Sequence, residues 1–232
     1  MKNNQDLSGK ALYDFFKKQC NSPLFLDTSY GDTEVVPLEL FLKSPHQFTQ
    51  LELFAIELCK GKILDVGAGS GSHSLFLQQK GKNITGLEVS KYSVQLMKER
   101  GIQNIINSDI FTYKGKQFDT LLLLMNGIGI AGTIDKLPLL LQKLKNLLSS
   151  KGQILFDSSN IDYLYEDHSF PQDYYFGEIK YRYTYEGETG KWFKWLYIHQ
   201  ELMEETAKKL NLNFQLIYVD ENEQYLGRLT HN

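Results

Sequence analysis

A chain of 232 residues, 42% hydrophobic and 13% aromatic, suits one domain with a sizeable core and leaves room for a short cap. Its net charge of −3 and pI near 6.0 exclude a broad electrostatic pull toward nucleic acid or an anionic membrane, and no basic run reverses that balance. Cys20 and Cys59 have neither metal-ligand nor disulfide-framework spacing, MKNNQDLSGK lacks an apolar signal core, and the run 121–131 is too short and glycine-broken to cross a bilayer. The expectation is a soluble, cytoplasmic protein.

In residues 1–60, Leu7, Ala11, Leu12, Phe15 and Phe16 have helical spacing, as do Leu51, Phe54, Ala55 and Leu58. Pro23, Tyr30, Gly31, Pro37 and Pro45 break up the stretch between them. The spacing predicts a helical cap ahead of a core spanning 61–232.

That core opens on ILDVGAGSGSHSLFLQQKGKNITGLEVS, residues 63–90. The apolar run 63–66 predicts a buried strand, Gly67, Gly69 and Gly71 a tight turn, and Leu75, Phe76 and Leu77 the apolar face of a helix ending at Gly81. Residues 84–87 predict a second strand with Glu88 just past its end. Backbone N–H groups at such a turn and helix start have no partners inside the helix, so they suit a polar ligand. Glycines let the backbone approach that ligand closely. Glu88 follows Gly67 by 21 positions, near the ~20-residue spacing at which a carboxylate meets ribose hydroxyls.

A dinucleotide fingerprint G-x-G-x-x-G would place its third glycine where Ser72 stands, which disfavours an NAD-type oxidoreductase. The pattern here is G-x-G-x-G with Asp65 two residues before the first glycine. Asp-Val-Gly-Ala-Gly-Ser-Gly resembles the first motif of class I S-adenosylmethionine (AdoMet)-dependent methyltransferases, and Glu88 matches the acidic residue of their second. Aminopropyl transferases share a related fold but usually carry an acidic residue within the glycine motif, where this chain has Ser70.

Further along, Ser90 is placed to cap a helix, with Val89 and Val94 forming a hydrophobic staple. Gly101 ends that helix, and Ile105-Ile106 forms a short strand leading to Asp109. The resemblance implies that Asp109 meets the adenine amino group and that Ile110 packs on the ring. The apolar run 121–125 predicts a central strand buried on both faces, followed by Asn126-Gly127-Ile128-Gly129. Enzymes of the resembling family that methylate base amino groups or glutamine amides usually show Asn/Asp-Pro-Pro-Tyr/Phe there. Gly127 replaces the first proline, which disfavours that chemistry. Residues 134–148 read as a helix with Pro138 in its first turn, 153–157 as a strand, 199–210 as a helix, and 214–219 with 224–229 as a closing antiparallel pair.

The resulting fold class is α/β: a Rossmann-like, seven-stranded, mostly parallel sheet with an antiparallel C-terminal strand, an N-terminal helical cap and an inserted β-hairpin. The insert, about 163–198, is dense in Tyr, Phe and Trp and alternates with period two around Tyr181, Tyr183 and Tyr185. Its position after the strand ending at Asp157 places it beside the glycine turn, either lining an acceptor pocket or burying those tyrosines against the cap. It is expected to be separable from the cofactor motifs. Tyr30, Phe41 and His46 of the cap are candidates to face substrate, with packing the commoner role for each.

What the resemblance implies is AdoMet as cofactor, held by Asp65, Gly67, Ala68, Gly69, Ser70, Gly71, Glu88, Val89, Asp109, Ile110, Met125, Asn126 and Gly127. It also implies a small-molecule methyl acceptor, with the chain a monomer or homodimer. A protein that binds AdoMet without transferring methyl is the alternative from another class. No metal site is expected. His73, His168, His199 and the hairpin tyrosines are candidates for a general base, and no motif singles out any of them. Capping or solvent exposure accounts for His73 equally well.

Overall fold

The structure, a computed structural model, describes residues 6–19, 22–166 and 169–232. The N-terminal part carries the two expected helices, α1 (Leu7–Phe16) and α2 (Gln50–Leu58). Helix α2 starts on a capping box: Glu52 N–H donates to Thr49 Oγ1 at 3.2 Å and Thr49 N–H to Glu52 Oε2 at 2.7 Å. Between the helices lie two strands that the helical-cap expectation did not include, β1 (Phe25–Thr28) and β2 (Glu34–Val35). Their existence depends on a distant partner described below, so local periodicity could not announce them.

The core alternates strand and helix: β3 (Lys62–Val66), α3 (Ser72–Gln79), β4 (Asn83–Glu88), α4 (Lys91–Glu99), β5 (Ile105–Asn107), β6 (Phe118–Leu123), α5 (Leu137–Leu147) and β7 (Leu148–Ser159). Glu88 is thus the last residue of its strand. Ser90 caps α4, its Oγ accepting from Ser93 N–H at 3.0 Å. The expected staple does not form: Val94 packs with Met97 and Ile102, while Val89 is 66% exposed. Pro138 sits in the first turn of α5, where its missing N–H costs nothing.

Beyond β7 come β8 (Glu178–Tyr185), β9 (Glu188–Thr189) and β10 (Phe193–Leu196), then α6 (Gln200–Lys209), β11 (Leu212–Val219) and β12 (Gln224–His231). The main sheet has the order β11-β12-β7-β6-β3-β4-β5, with β12 antiparallel to both of its neighbours. Central strands read as continuous apolar runs because helices cover both faces: Ile63, Leu64, Leu121, Leu122, Leu123 and Ile154 are all fully buried. Strand β3 lies between β4 and β6, so the chain leaves it in opposite directions and a crevice opens at the strands' carboxyl ends.

The insert forms the hairpin expected of it and then recruits the cap. Strand β8 pairs with β10 on one side and with β1 on the other, in the register Leu26↔Tyr183 and Asp27↔Arg182, giving a second, antiparallel sheet ordered β10-β8-β1-β2. Arg182 clasps Asp27 across that pairing at 2.7 Å. Tyr185 is buried among Leu7, Ala11, Leu12 and Leu24, its hydroxyl donating to Asp14 Oδ2 at 3.1 Å. The alternating tyrosines divide: Tyr185 goes into the cap, while Tyr181 and Tyr183 line a cavity.

Candidate active site

All three glycines of the turn after β3 are left-handed, with φ of 72° at Gly67, 56° at Gly69 and 76° at Gly71. Gly67 and Ala68 N–H donate to the Leu87 carbonyl at 2.8 and 3.1 Å, tying the turn to β4. Glu88 completes the tie, taking Gly69 N–H on Oε2 and Ser90 N–H on Oε1, both at 2.8 Å. Burial pushes its carboxyl upward, while these N–H donors pull the other way. The carboxylate therefore shapes the turn, and it keeps lone pairs for a further donor.

The glycines differ in use. A Cβ at Gly71 would overlap Ile102 and press on Met97, so that position serves the packing of α3 against α4. Gly71 does not line the cavity, unlike the other twelve residues of the expected cofactor set. At Gly69 a Cβ would come no closer to the protein than the Gly67 carbonyl, at 4.0 Å. Asp65, fully buried and pushed upward by that burial, accepts from Ser74 Oγ at 2.7 Å, which anchors the first turn of α3 to β3. Ser70 Oγ donates to the Phe41 carbonyl, as Ser72 Oγ does at 3.2 Å, latching the cap onto the turn. Arg100 Nη1 reaches Ser70 O and both of these hydroxyls at 2.9–3.1 Å.

The cavity, about 1240 Å³, extends from this turn to the second sheet. Past β4 and β5 it is bordered by Val89, by Asp109, exposed and accepting from Phe111 N–H at 2.8 Å, and by buried Ile110. Past β6 it meets Met125 and Asn126, consecutive non-glycine residues with φ of 59° and 54°. Such backbone persists only where its surroundings over-determine it. Here Asn126 N–H donates to Asp157 Oδ1 at 2.8 Å, and Trp195 Nε1 donates to the Asn126 carbonyl at 3.1 Å. Asp157, fully buried, also accepts from Gln224 Nε2 at 2.8 Å, and burial pushes its carboxyl up to about 6. The Trp195 indole lies where a Cβ on Gly129 would be, so β10 is seated on the loop after β6.

The aromatic wall comprises Tyr181, Tyr183, Phe193, Trp195 and Tyr197. Tyr181 and Tyr197 hydroxyls lie 3.0 Å apart, and burial pushes both phenols upward; Tyr183 is raised to about 12 for the same reason. Of the cap candidates, Phe41 lines the cavity, whereas Tyr30 and His46 do not. Sequence reasoning missed Tyr92 and Phe111, exposed rings at the cavity margin. Each follows closely on a named site residue, Val89 or Ile110, and that proximity was the available signal.

His73 is neither a cap nor solvent-exposed. It is buried, and its Nε2 donates to Glu52 Oε1 at 2.8 Å while Lys43 Nζ spans both Glu52 oxygens at 3.0 and 2.9 Å. Nδ1 of His199 lies 2.6 Å from the Tyr175 hydroxyl, away from the cavity lining, and His168 lies outside the described residues. Burial opposes ionisation of Glu52, but the donors from His73, Thr49 and Lys43 outweigh it and hold the carboxyl at about 2. Its stabilisation is complete above the ordinary value of 4.5 and is lost as pH falls through 2. Urea unfolding of the wild type should lose roughly 3 kcal/mol more than Glu52→Gln does between pH 5 and pH 2. Parallel pH profiles for the two would remove Glu52 from the account.

A doubly wound sheet with a glycine turn and a buried carboxylate at its switch point defines a nucleoside-binding α/β protein. The family described as a methyltransferase domain matches residues 64–156. An S-adenosylmethionine-dependent methyltransferase from Bacteroides fragilis, crystallised with S-adenosyl-L-homocysteine, is 37% identical, covers 100% of this chain and 97% of its own, and superposes with a TM-score of 0.91. The methyltransferase CcbJ of Streptomyces caelestis (12% identity, 78% of this chain and 87% of that one, TM-score 0.62) shares the fold. So does a sugar N-methyltransferase from Streptoalloteichus sp (13%, 88% and 96%, 0.58). No curated protein sequence matches the chain. The chain belongs to the class I S-adenosylmethionine-dependent methyltransferases, enzymes that move a methyl group from that cofactor to an acceptor.

Proposed function

We propose that the chain methylates a small molecule, with AdoMet held along the glycine turn and the acceptor against the aromatic wall. The observation that carries this is one continuous cavity joining the two, lined at its far end by β8, β10 and the cap. The residues fit the cofactor: Gly69 leaves open space where a side chain would stand, and Glu88 offers lone pairs to ribose hydroxyls from a buried position. In this reading Asp109 meets the adenine amino group and Ile110 its ring, with Gly67, Val89, Met125, Asn126 and Gly127 closing the sides and Ser70 fixing the turn. Asp65, Ala68 and Gly71 support the turn from beneath. When bound, AdoMet supplies a methyl group on a positively charged sulfur, so the thermodynamic drive resides in the cofactor. The chain's own task is to orient the acceptor and exclude water, and positioning of this kind supplies much of the rate.

A nucleic-acid acceptor is disfavoured by the acidic balance of the chain. Among the described residues no helix is long and apolar enough to cross a membrane. Cys59 is a free, buried thiol pushed up to about 12 by burial, which suits packing rather than reaction. Calorimetric titration with AdoMet, followed by methyl transfer to a metabolite panel, tests the reading. Transfer confined to protein or nucleic acid would overturn it. Glu88→Ala removes charge-assisted hydrogen bonds of about 1.5–3 kcal/mol each, so AdoMet affinity should fall roughly tenfold to a hundredfold. Wild-type affinity in the folded variant would show that the carboxylate serves the turn alone.

A further inference from the structure

At the glycine end of the cavity one imidazole is held by a single nitrogen. His73 stands in the first turn of α3, lines the cavity and is 6% exposed. Glu52 is ionised and can only accept, so the proton of the neutral ring lies on Nε2 and the lone pair on Nδ1. Lys43, on both oxygens of Glu52, already balances the carboxylate, so a neutral ring suffices there. Phe48 lies against the imidazole with ring centroids 5.1 Å apart, which fixes its plane. Among the described residues Nδ1 has no hydrogen-bond partner, yet the single buried side-chain nitrogen or oxygen in that condition is Asn126 Oδ1. Nδ1 therefore keeps accessible surface, and the cavity is what His73 lines.

The ligand end that meets this nitrogen follows from its neighbours. The amino-acid portion of AdoMet is a zwitterion. Backbone N–H groups at the glycine turn and the start of α3 suit its carboxylate, which leaves its ammonium in want of an acceptor. The carboxylates that line the cavity have other work. Glu88 takes two N–H groups of the turn and faces the ribose, and Asp65 accepts from both the hydroxyl and the N–H of Ser74. Asp109 lies past β5 on the adenine side, and Asp6 accepts from Ser90 Oγ at 2.6 Å. Glu188 belongs to β9 of the second sheet and has a partner within the chain. The Ser70 and Ser72 hydroxyls are engaged by the Phe41 carbonyl and Arg100. His73 Nδ1, two residues after Gly71, is the acceptor left beside the turn. A base for the acceptor belongs at the aromatic wall, and among the described residues the ring contact of His73 is with Phe48 of the cap.

We propose that His73 Nδ1 receives the α-ammonium of AdoMet, with Glu52 and Lys43 as positioning residues that fix its tautomer and Phe48 as the ring that fixes its plane. The contact is a charge-assisted hydrogen bond in which the ligand's N–H donates. It also joins cofactor to cap, because Lys43, Phe48 and Glu52 precede the core while His73 belongs to it. This rests on the methyltransferase reading above and names the residue that reads one end of its cofactor.

The test is calorimetry on the whole chain, in mildly alkaline buffer where an ordinary imidazole is neutral. The probes are S-adenosylhomocysteine, S-adenosylthiopropylamine (ammonium without carboxylate), S-adenosylthiobutyrate (carboxylate without ammonium) and methylthioadenosine (neither). His73→Gln keeps an N–H where Nε2 stood and loses Nδ1, whereas His73→Asn keeps a carbonyl oxygen near the place of Nδ1 and loses the bond to Glu52. His73→Gln should weaken S-adenosylhomocysteine and the amine roughly tenfold to a hundredfold, leaving the other two within about threefold. His73→Asn should weaken them less. The reverse order would mean that His73 serves only its bond to Glu52, and it overturns the proposal. So does an equal loss for all the probes, a loss for the butyrate in place of the amine, or unchanged binding of S-adenosylhomocysteine by His73→Gln. Each of these leaves the methyltransferase reading standing, whereas a wild type that binds neither AdoMet nor S-adenosylhomocysteine would bring down both. The wild type should prefer the amine to methylthioadenosine by tenfold or more, and equal affinities overturn the proposal even if neither variant folds.

Discussion

Gly69→Val is expected to abolish AdoMet binding in a chain that still folds. The φ of +56° at Gly69 lies where a β-branched side chain is least tolerated, at a cost of roughly 1–2 kcal/mol or more. The surrounding protein adds little to that, because a Cβ there meets nothing nearer than the Gly67 carbonyl at 4.0 Å. The new isopropyl group therefore occupies the cavity, where the cofactor's amino-acid portion is expected to run closest to the backbone. Loss of affinity should exceed a hundredfold, roughly 3 kcal/mol, with a melting temperature lowered by only a few degrees. Gly71→Ala should behave in the opposite way, because its Cβ overlaps Ile102 and so acts on packing. Calorimetry beside thermal melts separates the two, and wild-type AdoMet affinity in folded Gly69→Val would place the turn away from the ligand.

That contrast shows which parts of the site were legible in the sequence. The glycine turn, Glu88 and the alternation of strand with helix are local or nearly so. Their spacing follows from one strand–turn–helix–strand unit whose strands are buried on both faces and so read as plain apolar runs. Gly71 was grouped with the ligand because three glycines in a row look alike; what distinguishes it is Ile102, brought against it only by folding. His73 and Glu52 are 21 residues apart on different helices, and nothing local announces a buried pair between them. The strands β1 and β2 escaped notice for a related reason. Four residues of β1 become a strand because β8, more than 150 residues away, supplies the hydrogen-bonding edge. Val89 failed as a staple because Val94 packs instead with Met97 and Ile102, which leaves Val89 free to face the cavity. Asn126 was legible as a position after a central strand, but the hold on its left-handed backbone comes from Trp195 and Asp157 and that on its side-chain amide from Leu196, contributed by the insert and the neighbouring strand.

Replacing residues 175–198 with a short Gly/Ser linker is expected to unfold the protein, an outcome opposite to the one expected of an insert separable from the cofactor motifs. The insert places Ile179, Tyr185, Leu196 and Ile198 in the interior, each no more than 1% exposed. Burying side chains of this size stabilises by about 1.5–3 kcal/mol each, so four of them amount to roughly 6–12 kcal/mol. That is comparable to the ~5–15 kcal/mol by which whole domains are stable. The excision also strips β1 of its partner and removes Trp195 from the strained backbone at Asn126. Loss of cooperative unfolding, seen by circular dichroism against urea, is the expected outcome, and it would carry no information about the acceptor. Phe193→Ala asks the functional question cleanly. Phe193 is only partly buried, lines the cavity and touches Tyr183 and Trp195 at ring distances of 5.5 and 6.5 Å, so its loss thins the aromatic wall while leaving the interior packed. AdoMet affinity should stay within about threefold while acceptor KM rises roughly tenfold, the effect of losing one ring contact together with its buried area. An unchanged acceptor KM with normal cofactor binding would mean that the wall is scaffold and that the acceptor enters elsewhere along the cavity. A cooperative, AdoMet-binding protein after the full excision would mean instead that the core holds itself together without the second sheet.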